Sequence, residues 1–361
     1  MPTIDATKVT ALISKASKLV PSSEMLTLDV RPDGVGVEIM SQSDGSMIVL
    51  TDREAILDKA GDPVKVGVPP GVLTASLKSR KALSVTLDGS TLTLKDGRYR
   101  ASLATVPPAP IKFPTDPSQL KEIGGLREVI DAHLSRLSLY STAEAKLKEP
   151  MVNVEWDGGV FKAAVTDVHH TVYVTGPVSL KGKGGVNLRS SDLAKISAMG
   201  GRFALEGNRV IAASDDGMMS FQREPAGSGE FSAPLAKIET LVNSPSTWEC
   251  DIQVDDMIAA LNNVEAVIDD KSGIKFAAHP KGGFLFKAKG RHGTISARVA
   301  ADLPVKAKKV SVVLNIHQLH ILVGRMAGTV RFAAVGNSVR MDCVGKDIRI
   351  IGMLAIMASD E

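Results

Sequence analysis

Apolar residues along this chain recur in two alternating rhythms. Val9, Leu12, Ile13, Ala16 and Leu19 keep the spacing of a helix buried on one face over 5–20, and Asp5 or Thr7 is placed to cap its start. Elsewhere short stretches alternate with period two, as strands half-buried in a sheet do. A compound unit made of both rhythms is predicted three times: a short apolar strand, a helix, then a hairpin about a glycine turn. Its first copy has a strand at 66–68, a helix over 71–81 and strands at 83–87 and 92–94 about Gly89. The second has a strand at 186–188, a helix over 190–199 and strands at 203–205 and 210–212 about Gly207. The third has a strand at 312–314, a helix over 315–326 and strands at 330–334 and 339–341 about Gly336.

A second pattern keeps nearly the same interval. Each third opens with an amphipathic helix, at 5–20, 126–140 and 254–268, followed by a hairpin centred on Gly34, on Gly158-Gly159 or on Gly282-Gly283. Gly-Gly-Val-Phe-Lys-Ala at 158–163 and Gly-Gly-Phe-Leu-Phe-Lys-Ala at 282–288 share their wording. The 361 residues exceed what one hydrophobic core usually reaches, roughly 250–300. The expectation is therefore an α+β chain of three repeated domains, each with two helices and antiparallel sheets: 1–118, 119–245 and 246–361. Prolines across 107–117 mark the first break, and Ser244-Pro245-Ser246 marks the second.

The polar faces of these helices are unusual in charge. The first carries Lys8, Lys15 and Lys18, with no acid between Ala6 and Ser23, and the second carries Lys78, Arg80 and Lys81 in an acid-free run from Pro63 to Leu87. The third contributes Arg127 and Arg136, with Lys146 and Lys148 beyond it, the fourth Lys195, and the sixth His317, His320 and Arg325. Only the helix over 254–268 is acidic, through Asp255, Asp256 and Glu265. A solvated face explains any one of these. Five of six suggest a shared polyanion, since each phosphate met by Lys or Arg releases counterions.

Net charge is only +3, so the chain is no polycation and the placement of charge matters more than its sum. Cys250 and Cys343 are too few for a disulfide framework or a thiolate metal site, which suits a reducing cytoplasm. No basic and apolar leader opens the chain, and the longest apolar run, 350–358, is too short to cross a bilayer. No membrane and no cofactor are expected.

Gly97-Arg98-Tyr99-Arg100-Ala101-Ser102-Leu103-Ala104-Thr105 and Ala164-Val165-Thr166-Asp167-Val168-His169-His170, set within this repeat pattern, resemble segments of the bacterial and phage sliding clamps, the beta subunits of DNA polymerase III. The resemblance is architectural over the whole chain. It implies a ring of two head-to-tail chains, with helices lining a hole for double-stranded DNA and sheets outside. It implies as partners the replicative DNA polymerase and a clamp loader, with sequence-independent sliding on DNA. Carried over residue by residue, the homodimer contact falls on Arg100, Ala101 and Leu103 against Val267 and Ile268, with Arg291 and Arg298 on the facing strand where the family has acids. The partner-peptide pocket falls on Thr166, Val168, His169, His170 and Thr171 with Met353, Leu354, Ala355, Ile356 and Met357. Val168 replaces the family's glycine and His170 its arginine.

Two other classes compete. Asp167, His169 and His170 could orient a general base or bind a metal, yet no nucleophile elbow, zinc-protease helix or phosphate-binding loop motif accompanies them, and adjacent strand residues point to opposite faces. A repeated β-rich structural or interaction protein without DNA binding accounts for the repeats and leaves the acid-free helices unexplained.

Overall fold

The computed structural model describes residues 1–20, 23–43, 46–109, 151–166, 170–178, 182–199, 201–206, 209–222, 234–265, 273–290, 293–305, 310–346 and 348–357. Two compact units result, Met1–Arg127 with Lys195–Arg223, and Glu128–Ala194 with Glu224–Glu361. Strand pairing draws these groupings. Gly217–Gln222 pairs with Ser46–Asp52 in the first unit, and His170–Pro177 pairs with Arg349–Ala355 in the second.

In the first unit the helix Ala6–Leu19 starts where expected: Asp5 Oδ1 accepts the backbone N–H groups of Thr7 and Lys8 at 2.8 and 3.1 Å. Its apolar stripe is buried as the spacing required. It packs on the strands Gly36–Ser43 and Ser46–Asp52 and against a second helix, Pro70–Leu77. Seven antiparallel strands form one sheet in the order Arg202–Glu206, Arg209–Ser214, Gly217–Gln222, Ser46–Asp52, Gly36–Ser43, Leu26–Arg31, Val64–Val68. A five-stranded sheet follows the order Ile56–Asp58, Thr3–Asp5, Ala82–Asp88, Thr91–Asp96, Tyr99–Ala104, which leaves Tyr99–Ala104 as an outer edge.

In the second unit eight strands run Gly184–Arg189, Met151–Asp157, Val160–Thr166, His170–Pro177, Arg349–Ala355, Ser338–Val344, Thr329–Val335, Trp248–Gln253. A four-stranded sheet runs Gly293–Val299, Phe284–Gly290, Gly273–Ala278, Ser311–Asn315. The helices Val254–Glu265 and Ile316–Val323 pack together, and Val254–Glu265 also covers the two strands from Phe284 to Val299. Beneath lies an aromatic core in which Phe276 stacks on Phe284 at 4.1 Å and meets Phe286 and Phe332 at 5.1 and 5.2 Å. Each such side chain contributes about 2–3 kcal/mol on burial.

All three copies of the strand–helix–strand–strand unit are present, in the order the pattern predicts. Gly89 and Gly336 turn their hairpins with the same left-handed φ of 55°, a conformation that disfavours a Cβ. Two helices stop earlier than the periodicity implied. Pro70–Leu77 ends four residues short because Ser79 takes φ 63° and the Lys78 N–H closes back on Thr74 O. Ile316–Val323 is capped by Asn315, whose side chain accepts from Gln318 N–H, and stops at Gly324. One helix, Leu235–Val242, was not predicted, and the expected 126–140 helix lies outside the described residues.

Candidate functional site

Helix Ala6–Leu19 turns only part of its basic set outward. Lys8 Nζ lies 2.5 Å from Glu54 Oε2, and Lys15 Nζ lies 3.9 Å from Asp216 Oδ2. The hydrogen bond to Glu54 holds the Lys8 ammonium above its usual range and pulls the Glu54 carboxyl down. Both lysines border a cleft of about 1160 Å³ shared with Glu38, Asp52, Arg53, Glu54, Asp215 and Asp216. Five carboxylates against three cations make that cleft a poor phosphate site. Lys18, Lys78 and Lys81 are exposed with no carboxylate within 4 Å among the described residues.

Lys78, Arg80 and Lys81 are not on a helix face as expected. They form the turn leaving Pro70–Leu77, and the Lys81 carbonyl accepts Ala6 N–H at 2.9 Å, which sets this turn against the start of the first helix. Arg80 lays its guanidinium 4.0 Å over the Tyr99 ring, while Tyr99 Oη donates to Ser76 O at 2.9 Å. Lys195 is half-buried on Ser190–Met199, and Arg325 donates from Nε to Ile321 O at 3.2 Å. Arg127, Arg136, Lys146 and Lys148 lie outside the described residues. His320 does face an acid: its Nδ1 lies 2.7 Å from Glu265 Oε2, with His317 Nδ1 at 3.9 Å from the same carboxylate.

The two stretches proposed for the partner pocket are neighbours. Thr171 pairs with Met353 and His170 with Leu354, and the Thr166 and Thr171 hydroxyls share a hydrogen bond of 2.8 Å. Val168 and His169 lie outside the described residues, as does Asp167, so the proposed Asp-His pair does too. Among the described residues no group of three His, Cys, Asp or Glu could hold a metal ion.

Met353 and Leu354, however, belong to the core, at 3% and 1% exposure. Met353 packs with Tyr173, Leu235, Ile238 and Val242, under the helix Leu235–Val242. Leu354 shares the opposite face with Gly352, where a Cβ would meet Leu322 Cδ2 at 2.9 Å and Met326 Cε at 3.3 Å. Apolar alternation read correctly as a strand, but its cover comes from this chain. The covering helix was legible in Leu235, Ile238 and Val242, three apolar positions on one helical face. Glu239 on the same helix accepts from Lys162 Nζ at 2.7 and 2.8 Å and from Tyr173 Oη at 3.4 Å. Burial, then the Glu239 charge, pushes the Tyr173 hydroxyl up to about 12. Ala355 and Ile356 remain half-exposed and Met357 is 37% exposed, with its N–H donating to Val313 O.

On the outer strand Tyr99–Ala104, Arg100 is exposed while Ala101 and Leu103 are half-buried beside Pro70–Leu77. Gly293–Val299, with Arg298 exposed, is one of the two outer strands of the four-stranded sheet; Val267, Ile268 and Arg291 lie outside the described residues.

Doubled helix-and-hairpin units, continuous antiparallel sheets and paired helices define the fold of the DNA polymerase sliding clamps. The structure is similar to the DNA polymerase sliding clamp from Pseudomonas aeruginosa, with a TM-score of 0.76 and 15% identity over 99% of both chains. It is also similar to the sliding clamp from Bacillus subtilis, at a TM-score of 0.81 and 11% identity over 99% of each. The beta chain of DNA polymerase III from Streptococcus pneumoniae matches at 0.81 and 10% identity, covering 99% of this chain and 100% of that one. No protein-family model and no curated protein sequence matches the chain.

Proposed function

We propose that this chain is a DNA sliding clamp, which encircles duplex DNA and tethers a replicative polymerase without itself catalysing a reaction. The observation that carries the reading is the clamp fold running over 99% of the chain. The repeat divides it into domains at 1–118, 119–245 and 246–361. Two chains close head to tail, with Tyr99–Ala104 of one pairing against Gly293–Val299 of the next, because an unpaired edge seeks a strand and a closed symmetric assembly needs complementary ends. Leu103 and the exposed Val72 of helix Pro70–Leu77 supply apolar area beside that edge.

Lys18, Lys78 and Lys81 are the best-supported contacts to the DNA backbone, being exposed and without a carboxylate within 4 Å among the described residues. Lys8 and Lys15 are weaker ones because Glu54 and Asp216 oppose them. A peptide of the polymerase or clamp loader docks near Thr166 with Ala355, Ile356 and Met357, where side chains remain accessible, while Thr171 is buried beneath them and holds Thr166 through its hydroxyl. Methionine suits such a site because its thioether adapts to several shapes.

Light scattering and particle images of the purified chain test this reading. A two-chain ring retained on nicked circular DNA, and lost when the DNA is linearised, is expected. A monomer that binds neither would return the chain to the class of β-rich interaction proteins.

A further inference from the structure

The four-stranded sheet is divided by charge as well as by burial. Ile274, Phe276, Phe284, Phe286 and Ala288 fill the face beneath the helices, each at 3% exposure or less. The opposite face carries Lys275, Lys287, Lys289 and Arg298, all exposed. Its four strands contain no Asp or Glu. Among the described residues, the helix Val254–Glu265 carries acids instead, and Asp255 and Asp256 there are exposed.

Register makes the arrangement costly. Lys275 and Lys287 are direct cross-strand partners, and like charges so placed destabilise a sheet. The repeated hairpins supply an internal comparison at the same register position, which in the first hairpin is buried at Asp29. In the first, Asp29 opposes Glu38, and Arg31 bridges both at 3.0 and 2.7 Å while Lys65 reaches Asp29 at 2.9 Å. In the second, Glu155 opposes Lys162. Only in the third does a like-charged pair stand with no counter-charge within 4 Å among the described residues. Arg298 is held by the carbonyls of Lys281 and Gly282 at 2.6 and 3.1 Å, which fixes its place on the face.

We propose that this sheet face is a second nucleic-acid contact, binding the phosphate backbone of a duplex on the side opposite the helices. Lysine suits phosphate as a point charge. Lys287 and Lys289, two residues apart on one strand, are separated by roughly 6.7 Å, about twice the ~3.4 Å axial spacing of charges along one DNA strand. The aromatic rings of this layer point inward, so no base is stacked or read. An acidic protein segment fits less well, since the face offers no aromatic anchor and its large apolar side chains, Leu285 and Val313, are half-buried between the cations. The contact is independent of whether the helices also line a hole.

The test uses the full chain and a short fluorescent DNA duplex, with affinity followed by anisotropy across a salt series. Lys275→Gln with Lys287→Gln and Lys289→Gln should weaken binding at least tenfold at low salt and flatten the slope of log affinity against log salt by up to about 2.7, at about 0.9 per contact. Melting should be unchanged or higher, because a like-charge pair has been removed. The duplex should also protect these three lysines from acetylation. A parallel variant with Lys18, Lys78 and Lys81 changed to Gln should retain that protection. Unaltered slope and unprotected lysines in the wild type would overturn the proposal. So would displacement of the duplex by polyglutamate at equal charge concentration, which would assign the face to an acidic protein.

Discussion

Lys8 and Glu54 form an ion pair of 2.5 Å across the cleft beside the first helix, although 45 residues separate them in sequence. An acid-free helix is therefore not an acid-free surface. If the pair withholds Lys8 from DNA, Glu54→Gln should strengthen duplex binding and steepen the salt slope by up to about 0.9. Anisotropy titrations of the two proteins check this. The sign with pH follows: because the folded Glu54 carboxyl titrates below its usual value, the pair is present at neutral pH and lost as pH falls through that lowered value. Acidification through that lowered value should then abolish the difference between wild type and variant.

Arg340, only 7% exposed, donates from Nη1 to the carbonyls of Val242 and Ser244 at 3.0 and 2.8 Å and from Nη2 to Glu249 at 3.2 Å. It ties the end of helix Leu235–Val242 to the strand Ser338–Val344. Arg340→Met keeps much of the bulk but strands two carbonyls, and should cost about 2–4 kcal/mol. Urea unfolding measures the loss. Hydrogen exchange should show it concentrated in the helix, since that is the element untied.

Tyr173 gives a pH dependence of opposite sense. Its hydroxyl is ordinarily ionised near 10, but in the fold only near 12, so the folded state resists a charge that the unfolded chain accepts. Its contribution is fully present below about pH 10 and is lost as pH rises towards 12, by roughly 2–3 kcal/mol at most. Denaturant midpoints taken from pH 9 to 12 should fall for the wild type. Tyr173→Phe should lose that share of the slope.

Much of this was legible in sequence, for physical reasons that differ by feature. The three strand–helix–hairpin copies were readable because period and glycine turns are local properties: the 190–199 helix and the Gly89 and Gly336 hairpins lie where the pattern put them. Helix ends were less so, since Ser79 adopts a left-handed turn that no neighbouring glycine announces. Charge pairing was not legible at all. Glu54 beside Lys8, Asp216 beside Lys15 and Glu265 beside His320 are long-range partners that only the fold brings together. The basic sheet face escaped for the converse reason: Lys275, Lys287, Lys289 and Arg298 are scattered over three strands and form no run.

The C-terminal strand separates folding from recognition within four residues. Leu354 is 1% exposed, shares a sheet face with Gly352 beneath Leu322, and pairs on either side with His170 and Val339. Leu354→Ala should therefore cost about 2–5 kcal/mol, because the cavity lies between a strand and a packed helix with little room to collapse. Met357 is 37% exposed and is held through its backbone N–H, which survives substitution. Met357→Glu should shift stability by less than about 0.5 kcal/mol, yet place a charge at the edge of the proposed peptide site. Urea midpoints of the two variants test the first half of this split. Binding of a C-terminal peptide from the cognate polymerase tests the second: it should weaken at least tenfold for Met357→Glu. Removing everything from Leu354 onward cannot make this distinction, since it cuts the strand out of the core. Removing 356–361 can, because the strand Arg349–Ala355 stays whole. If that shorter chain binds the peptide like the wild type, the site does not use Ile356 or Met357.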